Sequence, residues 1–123
     1  MIVVRITMNP LPEKQLEVMQ TLLSMIEPTS KEAGCLGYNV FCDIEDRNRF
    51  SLLEEWETRE DLDQHLTSHR FGALLGIKAL LSEPLEIQIH TVSQSEGMEA
   101  VDAVRDKGSQ SPPERWGERS LAQ

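Results

Sequence analysis

Residues 49–66 read RFSLLEEWETREDLDQHL, and the hydrophobic period changes halfway along this stretch. Every second side chain of the first half falls on one face of an extended chain: Phe50, Leu52, Glu54 and Trp56. From Thr58 onward the apolar spacing becomes that of a helix, and Thr58 followed by Asp61 is typical of a helix N-cap with an acidic first turn. The stretch therefore predicts a strand that leads directly into a helix.

Two strands and a helix are predicted before this stretch. Residues 2–8 alternate between two faces, and so do residues 36–43, which a polar turn at residues 45–48 joins to the strand above. Between them a helix begins at about Pro12, and Pro28 is expected to kink or end it. Its apolar positions at helical spacing are Leu16, Met19, Leu22, Leu23 and Ile26.

After residue 66, Thr67 and Ser68 can begin a new helix with apolar positions Phe71, Leu74, Leu75 and Leu80. A last strand alternates through Leu85, Ile87 and Ile89. The order βαββαβ predicts an α+β ferredoxin-like fold, in which helices cover one face of an antiparallel sheet.

The other face of this sheet is only half polar. It carries Val3, Phe41, Leu53 and Val92 among Arg5, Thr7, Asn39 and Glu55. A second copy of the sheet would bury such a face, which predicts a self-complementary dimer. Scattered apolar residues also occur on the surfaces of monomers, so the composition alone leaves that alternative open.

The chain has 123 residues, and 21 acidic against 12 basic side chains give it a net charge of -9. This balance disfavours a nucleic-acid partner, which requires a cationic surface. No apolar run reaches the roughly 18 residues of a membrane helix, and the first residues do not resemble a secretion signal, so we expect a cytoplasmic protein without membrane contact. Cys35 and Cys42 form no motif and are interpreted as reduced structural residues.

A change of composition near Ser93 predicts one domain over residues 1–92 and a polar C-terminal extension over residues 93–123. Within the extension, Met98, Val101 and Val104 recur at every third position. This segment is either partly flexible or a short docking helix.

The predicted helix after Thr58 places His65 and His69 on the same face as Leu62, toward the strand face that carries Glu54 and Trp56. If Thr67 and Ser68 begin a new helix, His69 lies beyond the break instead. An imidazole and a carboxylate beside an indole form a candidate pocket with a general base. Each residue also has a purely structural interpretation, because a histidine on a helix face is more often packed than catalytic. A metal site from His65, His69 and Glu54 has little support, since no further ligand lies at a recognised spacing.

Three segments carry a resemblance to a known family: residues 32–38 (EAGCLGY), residues 49–57 (RFSLLEEWE) and residues 62–71, which contain LDQHL and SHRF. In this order and separation they resemble the antibiotic biosynthesis monooxygenase domain family, over nearly all of residues 1–92. The resemblance implies a dimeric α+β barrel of two ferredoxin-like sheets. It also implies that Trp56 lines the pocket and that His65 is the family's helix histidine.

The resemblance further implies a homodimeric, cofactor-independent monooxygenase that oxidises a small quinol-like aromatic with O2, without metal or flavin. We expect His65 as base and Trp56 as wall and indole donor; Glu54 is assigned an orienting role from spacing alone. Leu52 replaces the asparagine of the polyketide-tailoring branch, and Leu75 replaces the iron-ligating histidine of the haem-degrading branch. An isomerase or lyase acting on a small oxygenated metabolite, and a non-catalytic ligand-binding dimer, remain alternatives.

Overall fold

A computed structural model describes residues 1–109 of the chain. Its elements, in chain order, are β1 (Ile2–Met8), a short 3-10 helix (Pro12–Lys14), α1 (Gln15–Ser30), β2 (Cys35–Cys42), β3 (Phe50–Trp56), α2 (Arg59–Leu66), α3 (His69–Leu75), a second 3-10 helix (Gly76–Leu80), β4 (Glu86–Thr91) and α4 (Met98–Ser109). Up to β4 this is the predicted βαββαβ order, with the second helix divided in two.

The four strands form one antiparallel sheet in the order β2-β3-β1-β4. In the register of the two central strands, Val4 lies opposite Glu54 and Ile6 lies opposite Leu52. All four of these side chains are buried, so the core lies between this face of the sheet and helices α1, α2 and α3. The ferredoxin-like α+β fold predicted from the sequence is confirmed.

Side-chain caps divide the second helical region. The Thr58 hydroxyl accepts a hydrogen bond from Asp61 N at the start of α2. The Ser68 hydroxyl accepts one from Phe71 N at the start of α3. Because Ser68 favours this capping role over a helix interior, the helix ends at Leu66 and begins again at His69.

The apolar face predicted for α1 was partly wrong. Leu16 and Leu23 were expected in the core, but they are 59% and 52% exposed. The buried stripe of α1 consists instead of Val18, Leu22, Met25 and Thr29. Pro28 lies inside α1, which ends two residues later at Ser30. The helix is rich in apolar residues on more than one side, so periodicity alone did not identify the side that contacts the sheet.

Ile87 and Ile89 lie in β4, the last strand that the sequence predicts. Every residue of β4 is exposed, including these two. Alternation identified the strand, but β4 pairs only with β1 and lies at an edge of the sheet. An edge strand has neighbours on one side only, which leaves its apolar side chains less covered.

Gly34, immediately before β2, has a φ of 78°, a conformation that side chains with a Cβ rarely adopt. A Cβ at this position would lie 2.6 Å from Asp61 Cβ and would overlap the carboxylate of Asp61. We therefore expect Gly34→Ala to reduce the free energy of unfolding by about 1–3 kcal/mol in urea titrations.

Gly72→Ala is the matched control for this prediction. Gly72 lies inside α3, and nothing lies within 4 Å of the position its Cβ would occupy. Alanine favours the helix at such a position, so this variant should be as stable as the wild type or more stable by up to about 1 kcal/mol. Equal effects of the two substitutions would contradict the assigned role of Gly34.

The chain divides into two compact units, Met1–Ser93 and a second that begins at Gln94. The second contains α4, on which Met98, Val101 and Val104 are exposed. Residues 110–123 of the predicted extension lie outside the described residues. Over residues 1–109, no helix has the length and apolar content needed to cross a membrane.

Candidate functional site

The structure brings together all three predicted site residues, His65 on α2 and Glu54 and Trp56 on β3. The rings of His65 and Trp56 are stacked, with centroids 4.6 Å apart and planes at 30°. Trp56 Nε1 donates a hydrogen bond of 3.0 Å to Glu54 Oε1, and His65 Nε2 lies 3.6 Å from the same oxygen. Trp56 and Glu54 are fully buried, and His65 is 2% exposed.

Local sequence explains this arrangement. Glu54 and Trp56 are two residues apart in a strand, so both side chains point to the helix-covered face. Thr58, two residues after the end of β3, caps the start of α2. Leu62 and His65 occupy the buried side of α2. The short connection therefore places the imidazole directly over the indole.

Four further residues complete the site, and the sequence analysis assigned none of them to it. Glu32 Oε1 lies 2.9 Å from His65 Nδ1, and Arg70 forms an ion pair with Glu32 Oε2. Tyr38 and Phe71 contact the His65 ring edge-on, at centroid distances of 6.5 and 5.4 Å. The imidazole is thus enclosed on several sides.

Two polar atoms of this cluster have no hydrogen-bond partner among residues 1–109. They are Glu54 Oε2 and His65 Nε2, and both are buried. A buried polar atom without a partner costs free energy, so such atoms are rare in folded proteins. Two of them in one site indicate a place where a ligand hydroxyl can form hydrogen bonds.

Glu54 is a carboxyl group in an apolar layer. Burial raises its pKa above the ordinary value of 4.5, and the negative charge of Glu32 acts in the same direction. The hydrogen bond from Trp56 and the neighbouring His65 oppose this shift without cancelling it. The neutral acid is therefore favoured over the range between the ordinary pKa and the raised one.

This raised pKa predicts a pH dependence of stability. The folded chain keeps the Glu54 proton to a higher pH than the unfolded chain, so the stability that Glu54 contributes falls as the pH rises between the two pKa values. Glu54→Gln replaces the neutral acid by a neutral isostere. We expect the variant to gain stability relative to the wild type as the pH is raised from about 5 to 8.

Urea unfolding of both proteins across this pH range tests the prediction. Glu17→Gln on the exposed side of α1 is the control, because Glu17 is paired only with Lys14 at the surface. A stability difference between wild type and Glu54→Gln that stays constant, or that reverses with rising pH, would contradict a raised pKa at Glu54.

Two other groups near the site have raised pKa values. Burial is the main cause at Tyr38, and the charges of Glu54 and Glu32 add to it. Burial also raises the pKa of the Cys35 thiol, whose Sγ contacts Gly37 O at 3.7 Å. A higher pKa lowers the thiolate fraction, which disfavours Cys35 as a nucleophile. Both cysteines are free thiols.

Of the two placements that the sequence allows for His69, the structure shows the one beyond a helix break and not the one on the buried face with His65. His69 is exposed because the helix ends between them, and it begins α3 instead of continuing α2. Within residues 1–109 no group of three or more His, Cys, Asp and Glu side chains is positioned to hold a metal ion. The cluster of His65, Glu54 and Trp56 offers an imidazole nitrogen, a buried carboxyl group and an indole face.

Residues 1–75 match the family model described as antibiotic biosynthesis monooxygenase. The chain is also similar to two curated proteins. An uncharacterized protein, sll1783, of Synechocystis is 30% identical over 86 residues, which are 69% of this chain and 58% of that protein. The chain thus spans less than two thirds of this relative. "Putative monooxygenase YcnE" of Bacillus subtilis is 31% identical over 71% of this chain and 93% of its own length.

Among solved structures, a conserved protein from Methanosarcina mazei Go1 superimposes with a TM-score of 0.69. It is 36% identical, over 72% of this chain and 89% of that protein. The β-sheet and helices of the present chain therefore share their architecture with this solved structure.

Proposed function

The chain belongs to the antibiotic biosynthesis monooxygenase family, and we propose that it is a homodimeric monooxygenase that oxidises a small hydroxylated aromatic of the quinol type with O2. The reaction that we propose uses neither metal nor flavin. The observation that carries it is the unpartnered Nε2 of His65, buried against the face of Trp56 and beside a carboxyl group. We assign the reaction to residues 1–92.

In the proposed reaction His65 Nε2 removes the proton of an aromatic hydroxyl group. The resulting anion is electron-rich and transfers an electron to O2, so the substrate itself is the reductant. One oxygen atom enters the product and the other leaves as water. A quinol thus gives a hydroxyquinone, and the carbon, hydrogen and oxygen atoms balance. The protein needs to supply only a base and a site that excludes water.

Trp56 and Glu54 have distinct roles in this proposal. The indole face of Trp56 packs against the aromatic ring of the substrate. The indole N–H holds Glu54 in place. The neutral acid of Glu54 donates a hydrogen bond to a substrate oxygen through its unpartnered Oε2. A buried carboxyl kept neutral can act in this way. Because His65 is only 2% exposed, the helices must move away from β3 to admit a substrate.

The dimer of this proposal forms through the sheet face opposite the helices. That face carries a cavity of about 360 Å³ lined by Arg5, Thr7, Phe41, Arg49, Ser51 and Leu53. Among residues 1–109 neither guanidinium of this cavity has an ion-pair partner. Glu55 and Glu86 lie on the same face. Glu55 is opposite Val3 and Glu86 is opposite Thr7, so they flank the Arg5–Leu53 pair on either side. A two-fold axis can bring these carboxylates to the arginines of the second copy.

Leu53→Asp tests the dimer. The substitution places a charge in the centre of the open face, and we expect it to weaken association about 30-fold or more. Sedimentation velocity should show a wild-type dimer and a folded Leu53→Asp monomer. Leu16→Asp, on the exposed side of α1, should stay dimeric. A wild-type monomer, or equal behaviour of the two variants, would contradict the proposed interface.

Oxygen uptake tests the reaction. Metal-stripped protein is screened with hydroquinones, naphthols and anthrones in an oxygen electrode. Uptake that depends on substrate and enzyme supports the proposal. Turnover without oxygen consumption points to an isomerase or lyase that uses the same base, and binding without turnover points to a ligand-binding dimer. Either result rejects the monooxygenase.

A cytoplasmic location stays a prediction from the sequence.

A further inference from the structure

The two nitrogens of His65 lie in different surroundings. Nε2 faces the Trp56 side of the site and has no hydrogen-bond partner among residues 1–109. Nδ1 lies 2.9 Å from Oε1 of Glu32, in the connection between α1 and β2. The second oxygen of Glu32 forms an ion pair with Arg70 of α3. The Glu32 carboxylate is therefore bound at both oxygens.

This arrangement determines which nitrogen carries the proton. A carboxylate accepts hydrogen bonds and cannot donate one, and the Glu32 oxygen that Arg70 does not bind faces His65 Nδ1. Nδ1 must then be the donor. Because a neutral imidazole carries a single N–H, Nε2 is left with a free lone pair. That is the state a general base requires.

We propose that Glu32 is a positioning residue that holds His65 in the Nδ1–H tautomer, and that Arg70 fixes Glu32 in place for this task. The importance of this tautomer for turnover rests on the proposed function. The tautomer itself is a property of the resting protein and does not depend on the reaction.

Glu54 does not compete for this role. Its Oε1 is 3.6 Å from His65 Nε2, beyond hydrogen-bond distance, and that oxygen already accepts the indole N–H of Trp56. Glu32 also differs from Glu54 in exposure, since 20% of its side chain is exposed.

Glu32 has a second effect once Nε2 has accepted a proton. The imidazole is then a cation, and the Glu32 carboxylate next to Nδ1 stabilises it. Carboxylates that orient metal-ligating histidines contribute about 10- to 100-fold to activity, and we expect an effect of similar size for a carboxylate that orients a base. We expect Glu32→Gln to lower kcat by such a factor with a smaller change in KM, because the substrate contacts are unchanged. Glu27→Gln near the end of α1, which removes a surface pair with Lys31 just after that helix, should leave kcat unchanged.

Nitrogen-15 NMR of the histidine side chains tests the tautomer directly, at a pH where the ring is neutral. The chain contains only three histidines, so His65 is assigned by comparison with His65→Gln. In the wild type we expect a protonated-type shift for Nδ1 and an unprotonated-type shift for Nε2. In Glu32→Leu this preference should be lost. Arg70→Met should weaken it, and Arg70→Lys should restore most of it.

The opposite tautomer in the wild type would overturn the inference, and so would an unchanged tautomer in a folded Glu32→Leu. If Glu32→Leu does not fold, the wild-type shifts and the two Arg70 variants decide the question. If the expected tautomer is found but the wild type consumes no oxygen with any substrate, the proposed function fails while the positioning role of Glu32 stands.

Discussion

Replacing His65 by glutamine is expected to lower kcat/KM for substrate-dependent oxygen uptake by about 10²- to 10⁴-fold, the usual contribution of a general base. The amide side chain is of similar size and polar, but it cannot accept a proton at neutral pH. His65 is 2% exposed and lies between Trp56 and Phe71. Glutamine retains more of this packing than alanine would, so the loss reports on the base and not on unfolding.

His69→Gln is the matched control for this variant. It makes the same change four residues away, at an exposed position at the start of α3. We expect it to keep wild-type kcat/KM within about two-fold, because within residues 1–109 no hydrogen bond, ion pair or ring contact joins the His69 side chain to a site residue. Circular dichroism shows whether both variants are folded. A folded His65→Gln with wild-type oxygen uptake would show that His65 is a packing residue.

Replacing Trp56 by alanine is expected to lower the free energy of unfolding by about 3–5 kcal/mol. Trp56 is the largest of the fully buried side chains. Its loss leaves a cavity beneath His65 and removes the N–H that Glu54 Oε1 accepts. Small domains have a total stability of about 5–15 kcal/mol, so the variant should be close to unfolded at growth temperature.

Trp56→Phe separates the two parts of this effect. It keeps a ring against His65 but removes the indole donor, and we expect a loss of about 1–3 kcal/mol. Leu16→Ala, at a 59% exposed position of α1, should change stability by no more than about 0.5 kcal/mol. Urea unfolding at one protein concentration measures all three. Equal losses for Trp56→Ala and Leu16→Ala would contradict the assigned core position of the indole.

Local sequence was sufficient to predict the strand–helix unit of the site. Alternation places Glu54 and Trp56 on one face of β3, and the Thr58 cap begins α2, so His65 follows at a fixed distance along the chain. These relations depend on residues within about one or two turns. Periodicity and capping are local properties, which is why they are visible in a single sequence.

The contacts of Glu32 could not be predicted in the same way. Glu32 is 33 residues from His65 and 38 from Arg70 in the chain, and only the packing of α1 against the sheet brings the three together. The buried side of α1 was mispredicted for a related reason. Leu16 and Val18 are both apolar, and the choice between them depends on how the helix lies on the sheet.

The central claim is that residues 1–92 catalyse the insertion of one oxygen atom of O2 through the base His65. Turnover of an active hydroquinone under ¹⁸O2, followed by mass spectrometry, tests it most directly. We predict one ¹⁸O atom per product molecule with the metal-stripped wild type and almost no product with His65→Gln. Product formed without ¹⁸O, or equal labelled product from both proteins, would contradict the claim.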